Sequence, residues 1–323
     1  MVSEKRQLIG IHHITAIAGD PQRNIDFYTE VMGLRMVKLT VNFDDPSAYH
    51  LYYGDEEANP GSILTFFSWP GAQKGWRGTG QAVAYSFSIP EQATGYWLER
   101  FKRHNVEHQP VKSRFSEDVI TFLDPDGLML ELVAHAGAER RSGWFRGSIP
   151  EKHALRGFYS TTLSELNLEP TRKHLVEQLR FRHSGESQET VRFETGPGGA
   201  GTIVDVQKAN QKDAGLIAVG TIHHVALRTP DDVEHVAWRR ELFSGGVHVT
   251  PVIDRYYFHS IYFREPGNVL FEIATDQPGF TIDESREELG SRLRLPPWLE
   301  KKREIIEQNL PSVGLASQRT VSR

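Results

Sequence analysis

Two nearly identical runs stand close to opposite ends of the chain: Ile11-His12-His13-Ile14-Thr15-Ala16-Ile17 and Ile222-His223-His224-Val225-Ala226-Leu227. Such a repeat constrains the fold strongly, because each copy must form the same small unit and bury its apolar face against a neighbour. Each run is followed by a helix-start signal, Asp20-Pro21 in one case and Pro230-Asp231-Asp232 in the other. An Asp there caps free backbone N–H groups, and a Pro at the first helical position loses nothing by lacking one. The first helix is expected through Ile25, Tyr28 and Met32 to Gly33, the second through Val233, Val236 and Ala237 to Gly245-Gly246. Strands are expected at Met36 to Val41, Tyr49 to Tyr53 and Ile63 to Phe67, and again at Val247 to Val252, His259 to Phe263 and Val269 to Ala274. The unit reads β-α-β-β-β.

Two weaker copies lie between. Val83 to Ile89, the helical Glu91 to His104 and the span Val119 to Val133 make the second; its Leu123-Asp124-Pro125-Asp126-Gly127-Leu128-Met129-Leu130-Glu131-Leu132 parallels Arg264-Glu265-Pro266-Gly267-Asn268-Val269-Leu270-Phe271-Glu272-Ile273. Gly157 to Val206 is the third, with a helix around Pro170 to Leu179 and a last strand at Thr202 to Val206. The expected division is an N-terminal pair of units over 8–136, a linker over 137–155, a C-terminal pair over 156–276 and an extension over 277–323. The extension is expected to hold a charged amphipathic helix from Pro297 to Asn309 and a frayed tail from Pro311.

Composition excludes several classes. With 37 Lys+Arg against 42 Asp+Glu and no basic stripe, nucleic acid is not the expected partner. No apolar run approaches the ~18 residues of a membrane helix, and the start lacks the apolar stretch of a secretory signal. A cytoplasmic protein is the default expectation. Cysteine is absent, so disulfides, thiolate metal sites and a cysteine nucleophile are all excluded. Histidine, at 14 residues, is the count that stands out.

Alternate side chains of a strand point to opposite faces. Val269, Phe271 and Ile273 form an apolar face, which turns Glu272 the other way, toward whatever concavity the sheet encloses. By the same alternation His224 opposes the apolar Val225 and Leu227, and His13 falls beside Thr15, while His12 and His223 fall on the other face. Six residues after the shared Pro stand Glu272 and Glu131; the first unit has Phe66 there and the third offers only Asp205 nearby. Only one His, His, carboxylate set is complete: His13, His224 and Glu272. A buried strand carboxylate without a partner is costly, and two imidazoles with one carboxylate suit non-haem Fe(II) and, less selectively, Mn(II) or Zn(II). Glu131 reads as a relic or a structural salt-bridge partner, His50 as structural or a cavity wall, and His104, His108, His174 and His183 as solvated.

Four such units with this triad resemble the vicinal oxygen chelate superfamily, the glyoxalase/bleomycin-resistance/extradiol dioxygenase fold, over about residues 8 to 310. Within it the chain is most similar to the hydroquinone ring-cleaving dioxygenases. The matching stretches are Ile11-His12-His13-Ile14-Thr15, Tyr49-His50-Leu51-Tyr52, Gln73-Lys74-Gly75, Ile222-His223-His224, Glu265-Pro266-Gly267 with Phe271-Glu272, and Gly279-Phe280-Thr281. The resemblance implies an α+β fold of four βαβββ modules in two paired-module domains, with curved mixed sheets around a metal cleft. It implies Fe(II) held by His13, His224 and Glu272, with Tyr262, Arg255 and His223 as catalytic groups and His12 and Thr15 near the substrate. For His12 and His223, orienting the ligand strands from behind is the equal alternative; for Arg255 it is a salt bridge to Asp254 or another acid, and for Tyr262 a core aromatic.

The expected activity is O2-dependent ring cleavage of a hydroquinone in aromatic catabolism. The partners are then a small aromatic and O2, with neither nucleic acid nor membrane, and a homo-oligomer is compatible with this. The alternatives are an extradiol catechol dioxygenase, a glyoxalase-like metal isomerase, or a protein of this fold that binds an aromatic compound.

Overall fold

The computed structural model describes residues 6–187, 190–209 and 213–315. The first unit comprises β1 (Ile11–Ala18), α1 (Pro21–Asp26), β2 (Arg35–Val41), β3 (Tyr49–Gly54) and β4 (Ile63–Ser68). The second has β5 (Gln81–Pro90), α2 (Thr94–Arg103), β6 (Lys112–Arg114), β7 (Glu117–Leu123) and β8 (Met129–His135). The third has β9 (Phe158–Glu165), α3 (Leu168–Lys173), β10 (Arg182–Ser187), β11 (Thr190–Glu194) and β12 (Ile203–Lys208). The fourth has β13 (Ile222–Thr229), α4 (Asp232–Ser244), β14 (Ile253–Asp254), β15 (Phe258–Arg264) and β16 (Leu270–Pro278), and α5 (Arg303–Asn309) lies in the extension.

The helix starts behave as their sequences dictate. Asp20 accepts from the Arg23 backbone N–H and Asp231 from that of Glu234, with Pro21 opening α1. Helix α1 does not run on regularly to Gly33: at Phe27–Val31 it widens into a π turn, as α3 does at His174–Gln178. Both π turns send two consecutive side chains inward, Phe27 with Tyr28 and His174 with Leu175. His174 is therefore buried against Phe263 rather than solvated, whereas His104, His108 and His183 are exposed as expected.

Two curved mixed sheets of eight strands result, ordered β14-β15-β16-β13-β1-β4-β3-β2 and β10-β11-β12-β9-β5-β8-β7-β6. The first unit pairs with the fourth and the second with the third, so each half of the chain contributes one unit to each sheet. The antiparallel seams β1–β13 and β5–β9 join the halves.

Three local expectations differ. Val247 to Val252 is no strand; it contains Pro251, which lacks a ladder N–H, and only Val249 bridges to Phe263. The C-terminal helix is shorter than expected, a 3₁₀ turn at Glu300–Lys302 followed by α5. The tail is packed through residue 315: Tyr49 donates to the Pro311 carbonyl, Gly314 exchanges two hydrogen bonds with Gln22, and Leu315 is buried. Residues 316–323 of the expected tail lie outside the described residues.

Candidate metal centre

The seam between β1 and β13 carries two bulges, and they shape the site. Ile11 faces Leu227 but His13 faces Ala226, which leaves His12 as an extra residue; Thr15 faces His224 but Ala16 faces Ile222, which leaves His223 extra. A bulge sets two consecutive residues against one and breaks the strict alternation of faces. Parallel pairing places Glu272 of β16 beside Ala226, and antiparallel pairing places Tyr262 of β15 opposite Glu272.

His13, His224 and Glu272 consequently meet on one face, all buried, from strands at opposite ends of the sequence. The two imidazole Nε2 atoms are 3.3 Å apart, and Glu272 Oε2 lies 3.3 Å from His13 Nε2 and 2.9 Å from His224 Nε2. Three donors at these separations can all reach one ion at metal–ligand distances of ~2.0–2.2 Å. Among the described residues this is the one cluster with metal-ligand geometry.

The donors are also in the right protonation state. The Thr275 carbonyl can only accept, so His12 Nε2, 3.1 Å from it, carries a proton. Neutral His12 must then accept at Nδ1 from His13 Nδ1, 2.9 Å away, which leaves His13 Nε2 with a lone pair facing the centre. Burial, then the neighbouring His13, holds the His12 pKa well below the ordinary value, which keeps it in this neutral form. His224 Nδ1 likewise meets His223 Nδ1 at 2.7 Å. Burial pushes the His223 pKa down to about 3, with His224 adding to the effect. Burial would raise the Glu272 carboxyl, but His13 and His224, where they carry a proton in the ion's place, outweigh it and hold the group well below the carboxylate range. One Glu272 oxygen accepts from Ser260 Oγ, while the other, fully buried, has no well-formed hydrogen bond. A buried carboxylate oxygen left in that state is what a cation would satisfy.

A cavity of about 260 Å³ opens on His13 and His224, with Glu272 fully buried beside them. Phe43, Phe67, Trp69, Phe258 and Leu270 supply its apolar wall; Thr15, His50, Tyr52, His223, Arg255 and Tyr262 supply the polar one. Of the residues singled out from sequence, Thr15, His223, Arg255 and Tyr262 thus reach the cavity. His12 does not line it and sits behind His13. His223, sent to the far face by strict alternation, is brought back by its bulge. Arg255 pairs with Asp44 at 2.9 Å rather than with Asp254, and its Nε donates to Tyr262 Oη at 3.3 Å. Burial raises the Tyr262 phenol and Glu272 adds to the rise, so it stays protonated. Asp44, Phe67 and Trp69 were not legible as site residues; no motif marks them, and only the folding of the β2–β3 loop and β4 brings them in.

The register also corrects one equivalence. Thr15 pairs with Thr65 as Ala226 pairs with Glu272, so Thr65 and not Phe66 is the first-unit counterpart of Glu272; Phe66 is core. Thr65 bonds Thr15 and His50 and offers no fourth carboxylate. In the second sheet the equivalent carboxylates are Glu131 and Asp205. Arg114 reaches Glu131 at 2.9 and 2.5 Å, and Arg192 reaches Asp205 at 2.8 Å twice. These forks occupy the carboxylates, and of the two readings expected for Glu131, relic or salt-bridge partner, the contacts are those of a salt bridge.

A family model described as the Glyoxalase/Bleomycin resistance protein/Dioxygenase superfamily matches residues 10–132 and 157–273. The chain is 43% identical over 305 residues to a Bacillus subtilis (strain 168) protein named ring-cleaving dioxygenase MhqO, covering 94% of this chain and 96% of that one. It is 33% identical over 310 residues to the chlorohydroquinone/hydroquinone 1,2-dioxygenase of Sphingobium indicum, covering 93% and 95%. A crystal structure of a protein named a dioxygenase from Bacillus subtilis superposes with a TM-score of 0.91 at 42% identity, covering 96% of this chain and 99% of that one. With the same unit repeated over both halves and full-length likeness to these proteins, the chain belongs to the Glyoxalase/Bleomycin resistance protein/Dioxygenase superfamily and stands within it among the ring-cleaving dioxygenases.

Proposed function

We propose that the protein is an Fe(II)-dependent dioxygenase that cleaves the ring of a hydroquinone-type aromatic. The observation that carries this reading is the convergence of His13, His224 and Glu272, the two histidines of which line a small aromatic-walled cavity. Two imidazoles and one carboxylate on one side of an ion form the facial arrangement suited to non-haem Fe(II), with positions left for substrate and O2. The residues fit such an ion: the lone pair of His13 Nε2 is aimed at the centre and one Glu272 oxygen lacks a hydrogen bond. Bound there, Fe(II) would acidify a phenolic hydroxyl and pass electron density from the ring to O2.

The chain's own residues do the remainder. Phe43, Phe67 and Trp69 cover the ring faces and exclude water; the cavity, smaller than the ~300–1,000 Å³ of drug-sized sites, suits a single ring. Arg255 presents a fixed positive charge to substrate oxygen or developing oxygen anion. Tyr262, kept protonated and already receiving a hydrogen bond from Arg255, has its own proton free to donate. With His224 Nδ1 donating to His223 Nδ1, His223 carries its proton on Nε2 as a second donor at the cavity wall. One relative, named chlorohydroquinone/hydroquinone 1,2-dioxygenase, supports the substrate class.

Oxygen uptake by protein reconstituted anaerobically with Fe(II) tests the proposal. Rapid uptake with methylhydroquinone and little with catechol is expected. The opposite preference would keep the metal centre and replace the substrate class with a vicinal diol.

A further inference from the structure

A continuous hydrogen-bonded chain runs along the cavity wall away from the triad. Thr15 Oγ1 meets Thr65 Oγ1 at 2.8 Å, Thr65 Oγ1 meets His50 Nε2 at 2.9 Å, and His50 Nδ1 meets Tyr52 Oη at 2.9 Å. Strand register lays this path across the sheet: Thr15 pairs with His224 on one side and Thr65 on the other, and Thr65 pairs with Tyr52. Both ends, Thr15 and Tyr52, line the cavity, as does His50, while Thr65 is buried beneath them.

Every member is both a donor and an acceptor. The chain therefore has two arrangements of its protons. In one, Tyr52 donates to His50 Nδ1, His50 Nε2–H to Thr65 and Thr65 to Thr15. In the other every bond is reversed, and in both the imidazole is neutral. The ring of His50 packs on Phe67 and Tyr52, with centroids at 4.4 and 4.1 Å, and the same atoms pair in both arrangements, so reversal needs no movement of the ring.

We propose that Tyr52, His50, Thr65 and Thr15 form a proton relay that joins the distal hydroxyl of a hydroquinone to the oxygen being reduced beside the triad. The inference rests on the hydroquinone reading above. As the ring yields electron density to O2, its distal hydroxyl becomes acidic and the oxygen becomes basic. The distal O–H bond breaks as its proton passes to Tyr52 Oη. The Tyr52 proton moves to His50 Nδ1, the His50 Nε2 proton to Thr65 and the Thr65 proton to Thr15. The Thr15 proton then forms the new O–H bond on the reduced oxygen. One proton is lost by the substrate and one gained by the oxygen, and all four side chains end neutral. A catechol has no para hydroxyl to place at Tyr52, so the relay favours para-diols. Here His50 and Thr65 act as positioning residues that move a proton without touching substrate.

Two measurements on the full chain test this. In the Zn(II)-loaded protein, ¹⁵N NMR of the His50 side chain is expected to show both neutral tautomers in exchange, and Thr65→Val is expected to lock it into one. In the Fe(II)-loaded protein, Thr65→Val is expected to lower kcat for methylhydroquinone by about a hundredfold, the lower end of the range for a lost proton-transfer contribution. It should leave KM and iron content as in the wild type and reduce the solvent deuterium isotope effect, and Thr65→Ser should restore the rate. A single His50 tautomer indifferent to Thr65→Val, a Thr65→Val enzyme with the wild-type rate, or a loss expressed only in KM would each overturn the relay. If the wild type takes up oxygen with catechol and not with methylhydroquinone, the substrate reading fails and takes the relay's role with it. That outcome is distinguishable, because the unmodified protein shows it.

Discussion

At the residue scale, the centre depends on a few atoms whose removal has separable effects. Glu272→Ala leaves two imidazoles and should abolish stoichiometric metal binding, measurable as metal content after reconstitution and desalting. His12→Phe removes the acceptor that holds His13 Nδ1–H; losing such an outer partner costs ~10–100-fold in metal affinity, so titration with a competing chelator should show weaker binding with the fold intact. Tyr262→Phe keeps the ring and deletes the proton. Iron should stay bound while kcat falls about a hundredfold, the lower end expected for a lost general acid; unchanged turnover would remove Tyr262 from the chemistry. His174 and His135 report on stability. Burial lowers both to about 4 from the ordinary 6.5, so between these values the unfolded chain binds protons that the native one does not. Stability is therefore present at neutral pH and is lost as pH falls through 6.5 toward 4, visible as a declining urea midpoint in the metal-free protein. A midpoint flat over that window would contradict the burial of these rings.

At the element scale, turns and straps decide whether the strands arrive in register. Gly33 ends the first helix at φ +67°, and a Cβ there would stand 2.4 Å from Ile149 Cδ1, so Gly33→Ala meets both backbone strain and a clash. A loss of roughly 1–3 kcal/mol is expected from the strained φ alone. The strap after β16 is anchored by a fully buried Lys38, which donates to the Phe280 carbonyl at 3.1 Å, to Asp283 at 2.6 Å and to Glu284. From that strap Phe280 stacks on Tyr257 and meets Tyr52, a cavity wall. Glu284→Ala leaves the buried ammonium with less compensation and should cost about 3 kcal/mol, as broken buried pairs do; chemical denaturation measures it.

At the scale of the whole molecule, the centre exists only where the two ends of the chain meet. His13 comes from β1, His224 from β13 and Glu272 from β16, and the β1–β13 seam brings them together. A chain ending near Ala136 should therefore fail to bind stoichiometric Fe(II). The two sheets share one topology, yet only one retains histidines at the seam; in the other, arginine forks occupy the equivalent carboxylates. No described helix is long and apolar enough to cross a membrane.

Much of this was legible in the residues because it depends on local rules. The repeated Ile-His-His run, the Asp caps and the alternation of apolar and polar side chains marked out four units. They also selected His13, His224 and Glu272, since only those repeat-equivalent positions together complete a set of two histidines and one carboxylate. Tertiary structure alone decided the rest. Strand alternation is a statement about a regular strand, and whether a strand bulges is settled by the partner it pairs with; so His223 reached the cavity and His12 did not. Equivalence counted along the chain pointed to Phe66, whereas hydrogen-bonded register across strands selected Thr65. Which unit pairs with which, and which loops bring Asp44 and Trp69 to the metal cleft, are long-range contacts that no periodicity within a unit can encode.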